Sequence, residues 1–277
     1  MSSAHGLPFM KGHGTGNDFV VIADFGGELD LSAAQVAAIC DRHSGIGADG
    51  ILRVVRQDDV YFMDYRNADG TLAETCGNGL RVFARFLVEN GLEKAGTFDI
   101  VTRAGIVQAT VNPEDKNFDN IAIRMGKPER IEVDADPSVT TETGSWNGVA
   151  VTMPNPHCVT VVDDIYEAGS LLELPVVSPA SVFPEGVNVE FIESRGSDHI
   201  GMRTYERGVG ETLACGSGSC AAASVWAQRN NLVAPWTVQV DILGGTVFVD
   251  GDVEGVVTLR GPARFVASGV ISPELVS

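Results

Sequence analysis

The chain has 277 residues and a formal net charge of −18, from 37 acidic and 19 basic side chains. A chain of this length can bury a sizeable core and suits one large domain or two medium ones. The acidic balance disfavours nucleic acids and anionic membranes as partners, because both attract basic surfaces. Hydrophobic residues make up 44%, as in an ordinary globular protein, and 32 glycines indicate many turns and close backbone approaches.

Cysteine usage indicates a reducing compartment. The chain has an odd number of cysteines, spread widely: Cys40, Cys76, Cys158, Cys215 and Cys220. Such a set is a poor disulfide framework. Neither a signal peptide nor a membrane span is expected, since no stretch has the required basic and apolar pattern or apolar length. We therefore expect a cytoplasmic protein with reduced thiols.

The first half is predicted to contain six strands, marked by alternating or continuous β-branched runs: Asp18–Ala23, Gly50–Val55, Val60–Tyr65, Phe98–Thr102, Ile106–Val111 and Ile121–Met125. Ser32 is a suitable N-cap for a helix over Ala33–Asp41. A second helix is expected to follow Cys76 in the stretch CGNGLRVFARF and to end near Asn90.

The second half is predicted to contain seven strands: Val149–Met153, Val159–Val162, Val187–Ile192, Ile200–Tyr205, Val238–Ile242, Thr246–Val249 and Val256–Leu259. We expect a short helix capped by Asp163 or Asp164, and a long helix that follows Cys215 and ends near Asn230. The polar segment 132–148 carries no motif and is interpreted as a linker or an excursion between the halves.

Both long helices are expected to be buried. Leu80, Phe83 and Leu87 form one apolar stripe, and residues 220–227 are small or apolar almost all round. Many strands with one long helix per half predict an α+β fold, in which each half is a curved, mostly antiparallel sheet around a buried central helix.

The two halves resemble each other as copies of one unit. Cys76 and Cys215 are 139 positions apart. Four further matches lie within one residue of this offset: Asn17 with Asn155, Asp49 with Asn188, Asn67 with Glu206, and Ala104–Val107 with Gly244–Val247. Strand and turn sequences can look alike by composition, but four collinear matches favour a repeat.

The repeat predicts two homologous domains related by a pseudo-twofold axis. The N-terminal domain would comprise residues 1–128 with Cys76, and a C-terminal strand at about 263–277 would return to it. The second domain would comprise residues 129–262 with Cys215.

A cysteine at the start of a buried helix has a particular chemistry. The first turn offers unpaired N–H groups and the positive end of the helix dipole, which favour a thiolate and lower the cysteine pKa toward neutral. The same N–H groups can hold a carboxylate, and glycines let a ligand approach the backbone. Two stretches are predicted to bind an anion in this way, Gly77–Gly79 and Gly216–Gly218.

Two such thiols at one site can invert the configuration of an amino acid without a cofactor. One thiolate removes the α-proton, and the opposite thiol donates a proton to the other face. Fixed N–H dipoles in a dry site stabilise the negative charge that develops on the carboxylate. We therefore expect Cys76 and Cys215 to form a catalytic acid–base pair.

The remaining candidate residues are given structural interpretations. Cys40 in an Ala- and Ile-rich helix and Cys158 in a strand are interpreted as packing residues. Cys215 and Cys220 are spaced as C-x4-C, but without a second pair or a suitably placed histidine they predict no metal site. The arginines of the first long helix, at positions 81 and 85, are interpreted as solvated or structural.

Six stretches, taken in order, resemble the diaminopimelate epimerase family: GTGNDFVVI, RHSGIGADGIL, YRNADGTLAETCGNGLR, MPNPHCVTVVDD, EGVNVEFIE and RTYERGVGETLACGSGSCAA. They cover nearly the whole chain. This family consists of cofactor-independent enzymes of the lysine and peptidoglycan pathway. The resemblance implies the two-domain fold named for the family, an active site in the cleft between the halves, a small amino-acid substrate and a homodimer.

The resemblance also implies roles for individual residues. Cys76 and Cys215 would be the acid–base pair, each serving one stereochemical direction. Glu206 would help to bind the α-ammonium group, and His157 would lie near the reacting centre. Four main-chain N–H groups would bind the reacting carboxylate, those of Gly77, Asn78, Gly216 and Ser217. Five residues would hold the substrate, mostly at its distal end: Asn17, Asn67, Asn155, Asn188 and Arg207.

These residue types suit a substrate with two amino-acid ends. Such a substrate needs acceptors for two ammonium groups and donors for two carboxylates; asparagine supplies both, and arginine binds a carboxylate bidentately. The asparagines also have structural interpretations. Asn67 in RNADG is a good turn former, and Asn155 and Asn188 could cap turns.

Other functions are open at this point. A proline or hydroxyproline racemase also uses two cysteines, but a proline pocket needs no arginine for a distal carboxylate, such as Arg207. A thiol redox sensor would join the same two cysteines in a disulfide. A binding module without activity is disfavoured, because the cysteine, glutamate and arginine positions are intact.

Overall fold

The structure, a computed structural model, describes residues 6–276. Residues 1–5 and 277, which the predicted N-terminal domain includes, lie outside the described residues. The chain divides into two compact units. Unit 1 consists of the residues up to 123 together with those from 261 on, and unit 2 consists of residues 124–260. None of the helices among the described residues is long and apolar enough to span a membrane.

Strands make up most of the regular structure. In chain order the elements are β1 (Leu7–Gly14), β2 (Asn17–Ala23), α1 (Ala33–Cys40), β3 (Gly50–Gln57), β4 (Val60–Asn67), α2 (Gly77–Glu89), β5 (Gly96–Thr102), β6 (Gly105–Val111), β7 (Ile121–Gly126), β8 (Glu129–Arg130), β9 (Ser138–Thr140), β10 (Ser145–Thr152), β11 (Pro156–Val161), β12 (Val176–Ser178), β13 (Asn188–Gly196), β14 (His199–Glu206), β15 (Gly210–Thr212), α3 (Gly216–Arg229), β16 (Trp236–Ile242), β17 (Gly245–Gly251), β18 (Val257–Gly261), β19 (Arg264–Ile271) and α4 (Pro273–Val276). Short 3-10 turns lie at Ile165–Ala168 and Ala180–Val182.

The two units repeat one order of strand pairing. In unit 1 the pairs β1–β2, β3–β4 and β5–β6 are antiparallel, and β2–β3 and β4–β5 are parallel. In unit 2 the pairs β10–β11, β13–β14 and β16–β17 are antiparallel, and β11–β13 and β14–β16 are parallel. In each unit the long helix, α2 or α3, lies between the second and third antiparallel pairs in the chain. This plan confirms the α+β class with two similar, mostly antiparallel halves.

Strand register corrects one predicted match. In unit 1 Phe19 pairs with Gly50, and in unit 2 His157 pairs with Asn188. Gly50 is therefore the counterpart of Asn188, and the predicted match of Asp49 with Asn188 is wrong by one residue. The difference matters because a shift of one residue moves a side chain to the other face of a strand.

Local sequence signals place the helices as predicted. Ser32 caps α1 and closes a capping box. Cys76 and Cys215 are the N-cap residues of α2 and α3, both with extended backbone, and the helices end at the C-cap residues Asn90 and Asn230. Each cysteine therefore stands at the start of a helix.

Both long helices are buried, as their composition predicts. In α2 the side chains of Leu80, Phe83 and Leu87 are at most 1% exposed. In α3 the residues Cys220–Ala223 are fully buried and pack within an apolar cluster that includes Val159 and strands of the unit 2 sheet. Each helix is thus the centre of its unit.

The segment 132–148 belongs to unit 2 and is not a linker. Strand β9 within it pairs with β10 and with β12. Val139 is fully buried, and Trp146 packs edge-on against Phe191 with 5.8 Å between ring centroids. The linker interpretation is wrong because these short strands carry only isolated apolar residues, whose burial depends on partners elsewhere in the unit.

Strand β1 has no counterpart among the predicted strands. Its sequence LPFMKGHG lacks a β-branched run, but β2 pairs with one of its edges and β19 with the other. The short helix expected after Asp164 is a single 3-10 turn, Ile165–Ala168, whose Tyr166 N–H donates to the Asp164 side chain.

Candidate active site

Unit 1 gathers four of the predicted site residues around the start of α2. The thiol of Cys76 donates to Asn17 Oδ1 at 3.4 Å, and Asn78 Nδ2 donates to the same oxygen at 3.4 Å. Asn78 is 2% exposed, while Cys76 is only partly buried. Gly77 is buried in the first turn between them. The thiol is therefore held at the helix start by a hydrogen bond to one amide oxygen.

A charged network determines which way the Asn17 amide points. Asn17 Nδ2 donates to Asp49 Oδ2 at 2.7 Å, so Oδ1 is left to face Cys76. Arg42 forms an ion pair with Asp49 at 2.7 Å and with Asp18 at 2.8 Å. Sequence reasoning did not single out Asp49 or Arg42 as site residues; their only signal was the motif RHSGIGADGIL itself.

Asn67 lies at the end of β4 and is engaged in a turn. Its side chain donates to Thr71 Oγ1 at 3.0 Å, and its backbone N–H donates to the Thr71 carbonyl. Gly70 in this turn has a positive φ of 85°, which glycine adopts without strain. In the structure Asn67 therefore acts as a turn residue, with its side chain bonded within its own turn.

Unit 2 places Cys215 deeper than its counterpart. Cys215 is 5% exposed, and its sulfur accepts a hydrogen bond from Gly218 N–H at 3.3 Å. Ser217 Oγ lies 3.6 Å from the same sulfur. Gly216 is buried in the first turn, where its N–H belongs to the unpaired end of the helix.

The surroundings raise the pKa of Cys215 well above its ordinary value. Burial is the largest cause, followed by the carboxylates of Glu206 and Glu190. The hydrogen bonds from Ser217 and from Gly218 N–H act in the opposite direction but are outweighed. The expectation that the helix start lowers a cysteine pKa toward neutral is therefore wrong for Cys215, where burial and the two carboxylates raise the pKa instead.

Glu206 lies beside Cys215 at the end of β14. Thr212 Oγ1 donates to Glu206 Oε1 at 2.5 Å, and the carboxyl also hydrogen-bonds Cys215. Burial raises the pKa of Glu206, and the charge of Glu190 raises it further. A partly buried carboxylate with few donors is suited to accept a cationic group.

His157 and Asn155 form a buried group with Glu190. His157 Nδ1 lies 2.7 Å from Glu190 Oε1, and His157 Nε2 lies 3.0 Å from Asn155 Oδ1. Both His157 and Glu190 are 0% exposed. Sequence reasoning missed Glu190; the available signal was an acidic residue inside the apolar strand VNVEFI.

Asn188 and Arg207 lie next to each other at one end of the unit 2 sheet. Arg207 N–H donates to Asn188 Oδ1 at 2.8 Å, and the Arg207 guanidinium donates to the Glu185 carbonyl at 2.8 Å. Asn188 is 6% exposed, whereas Arg207 is exposed. Gly186 has a φ of 83°, and a Cβ there would lie 2.9 Å from Arg207 Cδ.

The structure also places the residues given packing roles. Cys40 and Cys158 are buried in apolar clusters of unit 1 and unit 2. Burial raises the pKa of Cys40 to about 11 and that of Cys158 to about 12, so both thiols are unreactive. Arg81 is fully buried and hence structural, which removes the solvated interpretation.

Gly218→Ala is expected to lower kcat about 100-fold, whereas Gly79→Ala at the equivalent helical position is expected to keep it within about twofold. A Cβ at Gly218 would lie 2.6 Å from Glu190 Oε1 and 3.1 Å from Cys215 Sγ, so both groups must move. A Cβ at Gly79 would meet only ordinary contacts, at 3.4 Å or more. Steady-state kinetics of both variants measure this difference, and similar activities would contradict it.

Glu206→Gln is expected to make stability less dependent on pH. The folded-state pKa of Glu206 is raised above its ordinary value of 4.5, so the folded protein binds more protons between the two values. The free energy of unfolding therefore falls as pH rises through that window, and the variant lacks this fall. Urea unfolding from about pH 4 to about pH 8 measures it, with Glu173→Gln at an exposed carboxylate as the control. Equal pH dependence in variant and parent would show the assignment to be wrong.

Comparison of sequences identifies close relatives. The sequence model described as diaminopimelate epimerase matches residues 9–131 and 149–266. The unmatched stretch between these ranges contains β9 and the first residues of β10. Diaminopimelate epimerase of Streptomyces coelicolor is 42% identical over 279 residues, with 95% of this chain and 94% of the relative covered. That of Thermobifida fusca is 43% identical, with 95% and 97% covered.

Comparison of structures gives more distant matches. A Bacillus anthracis phenazine biosynthesis protein of the PhzF family has a TM-score of 0.72 at 18% identity and covers 95% of this chain and 98% of its own. A hydroxyproline epimerase from Agrobacterium vitis, with bound trans-4-hydroxy-L-proline, has a TM-score of 0.68 at 16% identity, with 98% and 94% covered. At these identities the likeness concerns the fold.

Proposed function

The chain belongs to the diaminopimelate epimerase family, and on this premise we propose that it converts LL-2,6-diaminopimelate into meso-2,6-diaminopimelate. It is an isomerase that acts on a small amino acid. The observation that carries the proposal is the presence of one cysteine at the N-cap of the central helix in each of two similar units. Relatives named for this reaction are 40–43% identical over nearly the whole chain.

The proposed reaction consists of two proton transfers at the α-carbon, one on each face, and each involves one of the two cysteines. The thiolate of one cysteine takes the α-proton, so that an S–H bond forms and the C–H electron pair moves into the carboxylate. The thiol of the other cysteine then delivers its proton to the opposite face, and the carbon is inverted. Cys215, whose pKa is raised, is the group that holds a proton at neutral pH in this scheme.

The backbone at the two helix starts would stabilise the charge that develops. The N–H groups of Gly77 and Asn78 in unit 1, and of Gly216 and Ser217 in unit 2, are at first-turn positions that lack intrahelical partners. If the two helix starts meet at one substrate, its carboxylate receives donors from both. The units are proposed to be the two domains that bring them together.

Charged and amide side chains would select the substrate. Glu206, with a carboxyl whose pKa is raised by burial, would accept the α-ammonium group, and that cation would favour its ionised form. The exposed guanidinium of Arg207 would bind the distal carboxylate. The remaining proposed substrate contacts are the asparagines Asn17, Asn67, Asn155 and Asn188. His157 would lie near the reacting centre.

The function is tested by epimerisation in deuterated water. LL-diaminopimelate incubated with the protein is expected to give the meso form with deuterium at the inverted carbon only, as measured by chiral separation and mass spectrometry. Proline and trans-4-hydroxyproline are run in parallel, with the double variant C76A/C215A as the blank. Inversion of either proline without inversion of LL-diaminopimelate would replace the proposed function by a proline-type racemase.

Assembly and location are part of the same proposal. We place the enzyme in the cytoplasm, where a biosynthetic amino-acid enzyme with free thiols would work, and we propose that it is a homodimer. Sedimentation at several protein concentrations measures the second point, and a monomer at all of them would contradict it.

A further inference from the structure

The first turns of α2 and α3 lie over different side chains. A Cβ built on Gly79 would lie 3.4 Å from atoms of Phe19 and Leu52, both 0% exposed. At the equivalent Gly218, a Cβ would lie 2.6 Å from Glu190 Oε1. In unit 1 the start of the helix therefore packs on two apolar side chains, whereas in unit 2 the equivalent helix start packs on the carboxylate of Glu190.

Strand register shows that this is a replacement at matched positions. Phe19 and His157 occupy corresponding places on β2 and β11, and Leu52 and Glu190 occupy corresponding places on β3 and β13. The pair of apolar side chains in one unit is thus a His–Glu pair in the other. The duplicated fold forms in unit 1 without these polar groups.

The polar pair is closely held and fully enclosed. His157 Nδ1 is 2.7 Å from Glu190 Oε1, and both side chains are 0% exposed. An ionised carboxylate only accepts hydrogen bonds, so Nδ1 carries the proton in this contact. The other ring nitrogen, Nε2, lies 3.0 Å from Asn155 Oδ1, which is also an acceptor, so that both ring nitrogens face oxygen atoms. Glu190 thereby fixes both the orientation of the ring and the position of one ring proton.

The second carboxylate oxygen indicates that this pair is not kept for stability. Glu190 Oε2 is buried and has no hydrogen-bond partner among residues 6–276, and the same is true of the hydroxyl of Thr204, which pairs with Glu190 across β13 and β14. A buried charge that is only partly satisfied opposes folding. Apolar residues such as those of unit 1 would avoid the free-energy cost of burying this charge. The carboxylate of Glu190 is therefore better explained by a role in function than by a role in stability.

We propose that Glu190 is a positioning residue of the active site, which holds the imidazole of His157 through Nδ1 and makes the surroundings of Cys215 chemically different from those of Cys76. This rests on the proposed function, in which His157 lies near the reacting centre. The Cβ position of Gly218 is 2.6 Å from Glu190 Oε1 and 3.1 Å from Cys215 Sγ, which places the carboxylate beside that thiol. The main effect of Glu190 on kcat is exerted through the orientation of His157, in addition to the direct effect of its charge on the neighbouring Cys215 thiol.

A double-mutant cycle tests this route of action. Glu190→Gln removes the charge but keeps the shape, and it is expected to lower kcat about 10- to 100-fold with little change in KM. In a His157→Asn background the same change is expected to cost less than about twofold, because its partner is gone. Glu193→Gln, on the same strand but bound to Arg195 and to the Ile165 N–H, is the matched control and is expected to keep wild-type kcat. Equal losses in both backgrounds, or a normal kcat for Glu190→Gln, would overturn the proposal.

The imidazole itself gives a readout that does not need substrate. Nitrogen-15 spectra of the histidine rings, with the His157 signals assigned by their loss in His157→Asn, are expected to show a protonated Nδ1 in the parent protein. Glu190→Gln is expected to shift these signals, and Glu193→Gln to leave them in place. Unshifted His157 signals in Glu190→Gln would refute the positioning role even if the protein proved to have another activity. Conversely, if Glu190→Gln shifts the His157 signals but the parent protein does not turn over diaminopimelate, only the proposed function is contradicted.

The other unit supplies a fold control. The double change H157F/E190L copies Phe19 and Leu52 and is expected to unfold at a temperature no lower than the parent while losing at least about 100-fold in kcat. A folded double variant with normal kcat would show that the polar pair does not contribute to the reaction.

Discussion

Cys76→Ala and Cys215→Ala are each expected to lower kcat for LL-diaminopimelate at least about 1000-fold. Alanine cannot carry a proton, so each variant leaves one face of the α-carbon without an acid or base. The remaining thiol can take or return a proton on its own face, which exchanges hydrogen without inversion. The double variant is expected to be no worse than either single one, since the two groups act as a unit. Chiral analysis of the product measures the loss.

A third thiol provides the control for that experiment. Cys220 is fully buried in α3, five residues beyond Cys215, and Cys220→Ala exchanges one small buried side chain for another. It is expected to keep kcat within about threefold, because the loss of one buried sulfur lowers the stability of the fold but leaves the arrangement of the active site in place. Near-normal turnover by Cys76→Ala or Cys215→Ala would mean that a single thiol is enough for the inversion and that the two-thiol mechanism is wrong.

Arg81→Ala is expected to lower the free energy of unfolding by about 3–5 kcal/mol. Arg81 is 0% exposed; its Nε donates to the Pro262 carbonyl at 3.1 Å, and a terminal nitrogen donates to Thr15 Oγ1 at 3.1 Å. It thus joins α2 to the β1–β2 turn and to the segment that precedes β19. Alanine would leave both acceptors buried without this donor and would open a cavity. Urea unfolding monitored by circular dichroism measures the loss.

Arg85, four residues further along α2, is the matched control. Its Nε pairs with the half-exposed Glu89 at 2.7 Å, one guanidinium nitrogen donates to the Ala263 carbonyl, and the group stacks on Phe118 and Phe265 at 4.8 Å. Arg85→Ala is expected to cost about 1–2 kcal/mol, because its contacts are closer to solvent. If Arg81→Ala lowered the free energy of unfolding no more than Arg85→Ala, the hydrogen bonds of Arg81 would not be what holds α2 to these two segments.

The features that local sequence determines were predicted well. Ser32, with a hydroxyl and a glutamine three residues on, specifies a capped helix start without any tertiary help. The two cysteines precede glycines and apolar helical runs, so their positions at helix starts followed from the same local logic. The repeat of strand order could be predicted because an internal duplication appears in one sequence as a constant offset.

Features that depend on tertiary partners could not be predicted in this way. Glu190 stands in an apolar strand, and its partner His157 comes from the neighbouring strand β11, which lies earlier in the sequence. Strand β1 needs β2 and β19 on its two edges. The raised pKa of Cys215 comes first from its burial and then from the carboxylates of Glu206 and Glu190, so a rule based on the helix start alone predicts the wrong direction. In each case the deciding group lies outside the local stretch.

The most direct measurement is a crystal structure of the protein with an unreactive diaminopimelate analogue in place. The account predicts that Cys76 Sγ and Cys215 Sγ lie on opposite sides of the analogue's α-carbon, each at about 3.5 Å, with its carboxylate at the starts of α2 and α3. A bound analogue with one of these sulfurs turned toward another cavity, or both on the same side of the carbon, would contradict it.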